Sequence, residues 1–169
     1  MPLRLLSKLD DRGESLVELL VALAVMATAV VAMLGALAVA IRISEVHRYQ
    51  AEAGAFTREF AERLENAVAG GSTGYHECTA GQGNQALVAA YEAYWDIPPS
   101  RAPLYEREVV KVTYWDATAL EYVDTCPGDY GVQLVSLRVW SQDSDRPTVS
   151  ETLEVTLRKP CRTGEDPCA

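Results

Sequence analysis

The sequence predicts an α+β protein in which a long N-terminal transmembrane-plus-amphipathic helix packs on a small antiparallel β-sheet head. Three observations predict it. Residues 19–41 (LLVALAVMATAVVAMLGALAVAI) carry no charged side chain. Beyond Ile41, apolar residues recur at three- and four-residue steps as far as Ala67, the period of one helix face. After Gly70 the pattern changes to short runs rich in valine, threonine and aromatics, bounded by turn-forming stretches, which is the signature of strands.

The first element follows from length and composition. Twenty-three uncharged residues at 1.5 Å per residue span about 34 Å, enough to cross a hydrocarbon core of about 30 Å. The run contains one glycine, Gly35, and no proline, so it reads as one continuous helix. It is longer than the apolar core of a secretory signal, although Ala38-Val39-Ala40 has the form of a cleavage site and leaves a secreted, soluble product as an alternative. The second half continues the same helix, with Ile43, Val46, Tyr49, Ala53, Phe56, Phe60, Leu64 and Ala67 on one face. Arg48, Glu52, Arg58, Glu59, Glu62 and Arg63 occupy the others. Gly70-Gly71-Ser72-Thr73-Gly74 ends it, so the helix is expected over 15–69.

Within the head, 109–115 predicts a strand and 116–118 a turn, with a short second strand at 120–123. A third is expected at 132–140 and a fourth at 149–158. The last alternates Leu153, Val155 and Leu157 with Thr152, Glu154, Thr156 and Arg158. Residues 87–95 predict a short helix. The pattern thus divides the chain into a short N-terminal stretch over 1–13, a membrane-spanning helix over 14–41, its amphipathic extension over 42–70, and the head over 71–169.

Composition narrows the function. The chain has 169 residues, 49% hydrophobic and 23% charged, with net charge -9. That balance argues against direct nucleic-acid binding, which needs a basic face, and against a polybasic membrane-surface protein. No nucleophile elbow, phosphate-binding glycine loop or paired catalytic histidine is present. The chain is expected not to be an enzyme, and to hold no cofactor and no metal. His76-Glu77-Cys78 fits no closed zinc spacing, and Asp143 with Asp145 lacks the ligand series of a calcium loop.

Basic residues flank the apolar run on both sides (Arg4, Lys8 and Arg12; Arg42, Arg48 and Arg58), so loop charge does not orient it. Cys78, Cys126, Cys161 and Cys168 all follow it, which favours an oxidising compartment for the head and the N-terminus inside. Four cysteines permit three connectivities. Cys161 pairing locally with Cys168, and hence Cys78 with Cys126, is the arrangement expected first.

Glu18 lies two positions into the apolar stretch, in Leu16-Val17-Glu18-Leu19-Leu20. A carboxylate at such a depth needs either the helix N-terminus or a partner. Residues 12–23, Arg12-Gly13-Glu14-Ser15-Leu16-Val17-Glu18-Leu19-Leu20-Val21-Ala22-Leu23, strongly resemble the prepilin signal of type IV pilins and type II secretion pseudopilins. The resemblance covers about residues 8–40. It implies cleavage by a prepilin peptidase between Gly13 and Glu14, N-methylation of Glu14, and a pilin-like fold. It also implies that Glu18, as fifth mature residue, sets register against other pilin or pseudopilin subunits. Glu14 stands where most members carry phenylalanine or another apolar residue, and Gly35 where many major pilins carry proline. Both departures look more like a minor pilin or a pseudopilin. The resemblance thus implies a minor subunit held in the cytoplasmic membrane as a precursor, then drawn into a pilus. The alternatives are a type II secretion pseudopilus and an uncleaved, single-pass anchored binding domain outside the cytoplasm.

Overall fold

The computed structural model describes residues 14–70, 74–142 and 147–160. The architecture is α+β. Helix α1 runs Glu14–Ala69, α2 is Val88–Glu92, and four strands follow: β1 Tyr105–Asp116, β2 Glu121–Val123, β3 Val132–Ser141 and β4 Ser150–Arg158. All pairings are antiparallel, in the order β2-β1-β3-β4. The chain divides into two compact units, Met1–Ser44 and Glu45–Ala169.

In the first unit, α1 exposes its apolar side chains all round; Leu16, Val31 and Met33 are 61, 70 and 72% exposed. In the second, α1 supplies one side of a closed core. Ala53, Thr57, Phe60, Ala61, Leu64 and Val68 are buried, with Val46, Tyr49 and Phe56 packed partly against them. The expected stripe differs at both ends. Ile43 is 51% exposed, and Val68 takes the buried place expected for Ala67, which is half-buried. The helix face drifts because 3.6 residues per turn does not match a strict alternation of three and four. Phe60, fully buried, stacks on Trp95 at 5.3 Å between ring centroids, and the Arg107 guanidinium lies over the Phe60 ring, 5.5 Å from its centroid. Burying a side chain of that size contributes about 1.5–3 kcal/mol.

The sheet's inner face is built of cross-strand rows: Val109, Leu137 and Leu153; then Val112, Val135 and Val155; then Tyr114, Gln133 and Leu157. Strand β1 changes parity between the first and second rows, because its register shifts between Val109 and Lys111 and leaves Val110 as an unpaired bulge. It also starts earlier than expected. Glu106, Arg107 and Glu108 pair along β3, and Glu108 forms an ion pair with Arg138.

The outer edge of β1 is covered without a full strand. Val112 N–H donates to Asn84 O (2.9 Å), the Gln85 amide donates to Val110 O (2.9 Å), and Val109 N–H donates to Glu92 Oε1 (3.0 Å). Cys78 is disulfide-bonded to Cys126, with Cα atoms 6.2 Å apart. The same strap is laced by Gly81 N–H to Cys126 O and Cys126 N–H to Gln82 O, each 2.8 Å. Cys161, Cys168 and the expected tail disulfide lie outside the described residues.

Candidate functional site

Two regions hold the residues singled out by sequence. The first is the start of α1. Gly13 lies outside the described residues, and Glu14 opens the helix. Glu18 is exposed and sits on a shallow apolar groove with Val17, Val21, Ala22, Val25 and Met26. It stands in the first turns of α1, where helix amides lack intrahelical acceptors and favour a negative charge. Among the described residues no side chain pairs with Glu18. One turn further on, Val21 and Ala22 offer it no hydrogen-bond donor. By length and composition α1 is apolar enough to cross a membrane.

The second region is a polar network inside the head. Tyr91 O–H donates to Gln133 Oε1 (2.7 Å), Gln133 Nε2 donates to His76 O (2.8 Å), and His76 N–H donates to Tyr91 Oη (3.3 Å). Tyr91 and Gln133 are fully buried, so each must find its partner within the fold. Tyr75 O–H donates to Asp129 Oδ1 (2.8 Å), and Tyr105 O–H to Glu52 Oε2 (3.0 Å), whose other oxygen holds Arg101 at 2.9 Å. Gln133 is the member that sequence could have flagged, since it interrupts an apolar strand at an inward position. Tyr75 and Tyr91 carry no such local mark.

His76-Glu77-Cys78 is dispersed into structural roles: His76 lies against Tyr91 and Tyr94, Glu77 meets Lys159 at 2.7 Å, and Cys78 is in the disulfide. Among the described residues no group of three or more histidine, cysteine or acidic side chains is placed to hold a metal ion. Asp143 and Asp145 lie outside them.

Burial keeps these tyrosines neutral. Tyr105 is pushed up to about 12, first by burial and then by the hydrogen bond and charge of Glu52. Tyr75 is raised by burial and by its bond to Asp129, and Tyr91 and Tyr114 by burial above all. An unfolded tyrosine ionises near pH 10, so the folded state binds more protons above that value. The stability from Tyr105 is full below pH 10 and is lost as pH rises through about 12. The difference in tyrosinate absorbance between the native chain and Tyr105→Phe, followed alongside circular dichroism, should place this ring's ionisation near pH 12; a difference appearing near pH 10 with structure intact would contradict this.

The fold and site define a class: a chain whose long apolar helix is able to cross a membrane and continues into an α+β head with an internal disulfide. No protein-family model, no curated protein and no solved structure matches this chain.

Proposed function

We propose that this chain is a minor type IV pilin-like subunit, cut by a prepilin peptidase after Gly13 and assembled through α1 into a filament. The observation that carries the reading is Glu18: a carboxylate in the opening turns of an exposed apolar helix, unpaired among the described residues, the fifth residue after the Gly13–Glu14 junction. Cleavage there creates an ammonium group at Glu14. In a bundle of such helices one subunit's Glu18 meets a neighbour's new N-terminus, and a pair is far less costly in lipid than an orphan charge. The pair then sets axial register, as single buried polar groups do in coiled coils. Removing the leader takes three basic and two acidic residues, which makes the chain one unit more acidic and keeps direct nucleic-acid binding out of its role.

The test is the N-terminal residue and intact mass of the protein from its native host's envelope. A chain starting at Glu14, with or without one methyl group, supports the reading. A start at Met1 in a host with active prepilin peptidase overturns it in favour of an uncleaved anchor, and a start near Ile41 means a secreted soluble protein. Glu18→Ala should abolish recovery in sheared filaments while leaving the head's fold unchanged, because the side chain is exposed and touches none of the core. Equal loss of folded protein from the envelope would contradict that role.

A further inference from the structure

The two sides of the sheet are treated differently. The β1 side is capped by Asn84, Gln85 and Glu92 and extended by β2. The β4 side is left open: among the described residues nothing pairs with its outer edge. Strand β4 carries no proline and no register shift over its nine pairs with β3. Proline and bulges are two of the devices by which folds blunt an edge; a third, charged side chains, is present here as exposed Glu154 and Arg158.

The direction of its backbone groups is fixed by two hydrogen bonds. Lys159 N–H donates to Gly131 O, and Ser141 N–H donates to Val149 O. Odd-numbered residues from Val149 to Lys159 therefore turn their amides and carbonyls toward β3. Thr152, Glu154, Thr156 and Arg158 turn theirs outward, and all four side chains are exposed.

This edge is complementary to itself. An antiparallel pairing about a two-fold axis at Thr156 puts Glu154 opposite Arg158 twice, Thr156 opposite Thr156, and Val155 opposite Leu157 twice. Parity agrees, since every outward-turned residue meets an outward-turned residue. Opposite charges and threonine pairs are among the favourable cross-strand combinations. No carboxylate pairs with Arg158 among the described residues.

We infer that the β4 edge is a docking surface for a second copy of this chain, joined strand to strand about Thr156. The axis stands normal to the sheet, so it reverses the strands of one copy relative to the other. If the pilin-like reading above holds, on which this step rests, the edge links the heads of two subunits.

The test uses the full chain in detergent. Oxidation of Thr156→Cys should give a covalent dimer, whereas Thr152→Cys should not, because that register holds the two copies of position 152 about 26 Å apart. Mixing Glu154→Cys chains with Arg158→Cys chains should give the dimer by a second route, which guards against a folding defect in one variant. In the Thr156→Cys background, Glu154→Arg or Arg158→Glu should each cut dimer yield about tenfold, and the double exchange should restore it. Absence of the dimer in both routes overturns the inference. So do equal coupling at 152 and 156, which means chains merely gathered in one micelle, failure of the double exchange to restore, and coupling of position 156 to a different envelope protein. The N-terminal residue of the mature chain tests the pilin-like reading separately, so either conclusion can fail without the other.

Discussion

Replacing Cys78 and Cys126 together by serine is expected to lower the stability of the head by about 4 kcal/mol. The bridge closes a sequence separation of 48 residues, and constraining a loop of that size in the unfolded chain is worth about that much in the chain-entropy account. The loss should be concentrated where the disulfide holds the strap. Amide exchange at Gly81, Cys126 and Val112, whose N–H groups bond across it, should accelerate more than exchange in β3. Urea unfolding followed by tryptophan fluorescence measures the total. A shift under about 1 kcal/mol would mean that the core contacts of Tyr91 and Leu87, both buried, hold the strap unaided.

Gly74→Ala is expected to be nearly as damaging, at about 3 kcal/mol. A Cβ there would lie 1.9 Å from Ala67 O, 2.2 Å from Ala67 C and 2.6 Å from Val68 N. All three are backbone atoms of the last turns of α1, so no side chain can swing away. The chain must lift off the helix instead, and it would carry Tyr75, buried and bonded to Asp129, along with it. Gly54→Ala is the matched control. Nothing lies within 4 Å of a Cβ at that position, and alanine in a helix interior is favoured over glycine by about 0.5–1 kcal/mol. Thermal unfolding of the two variants should therefore move in opposite directions. A mild effect at Gly74 would show that the helix end and the following chain separate freely.

Much of this architecture is legible in the sequence because it depends on local periods. The helix expected over 15–69 is found as Glu14–Ala69, since a run without charge and an amphipathic run share one repeat and no proline interrupts them. Strand β4 is found with Leu153, Val155 and Leu157 inward, as a two-residue alternation requires. The Cys78–Cys126 pairing is found as expected.

The start of β1 was hidden because Glu106-Arg107-Glu108 looks like a solvated charge run. Those residues are strand only because β3 lies beside them and Arg138, Asp96 and Gln142 answer their charges. The bulge at Val110 has no local sign either. It is needed so that Val109 and Val112, an odd number of positions apart, can both face the core.

By itself, the sequence determined the α+β class, the apolar helix with its early glutamate, and the number of strands, because each follows from patterning within a dozen or so neighbouring residues. Only the tertiary structure decided the order β2-β1-β3-β4. Strand β2 offers β1 three residue pairs and β3 offers it nine, so the longer partner takes β1's inner side and the short hairpin is left outside. It also decided that Tyr91, Gln133 and His76 meet in the core, and that one sheet edge is strapped while the other is unpaired among the described residues. Such features depend on groups far apart in sequence, whose partners are set by packing and by the need to satisfy buried polar atoms, and neither condition has a local period.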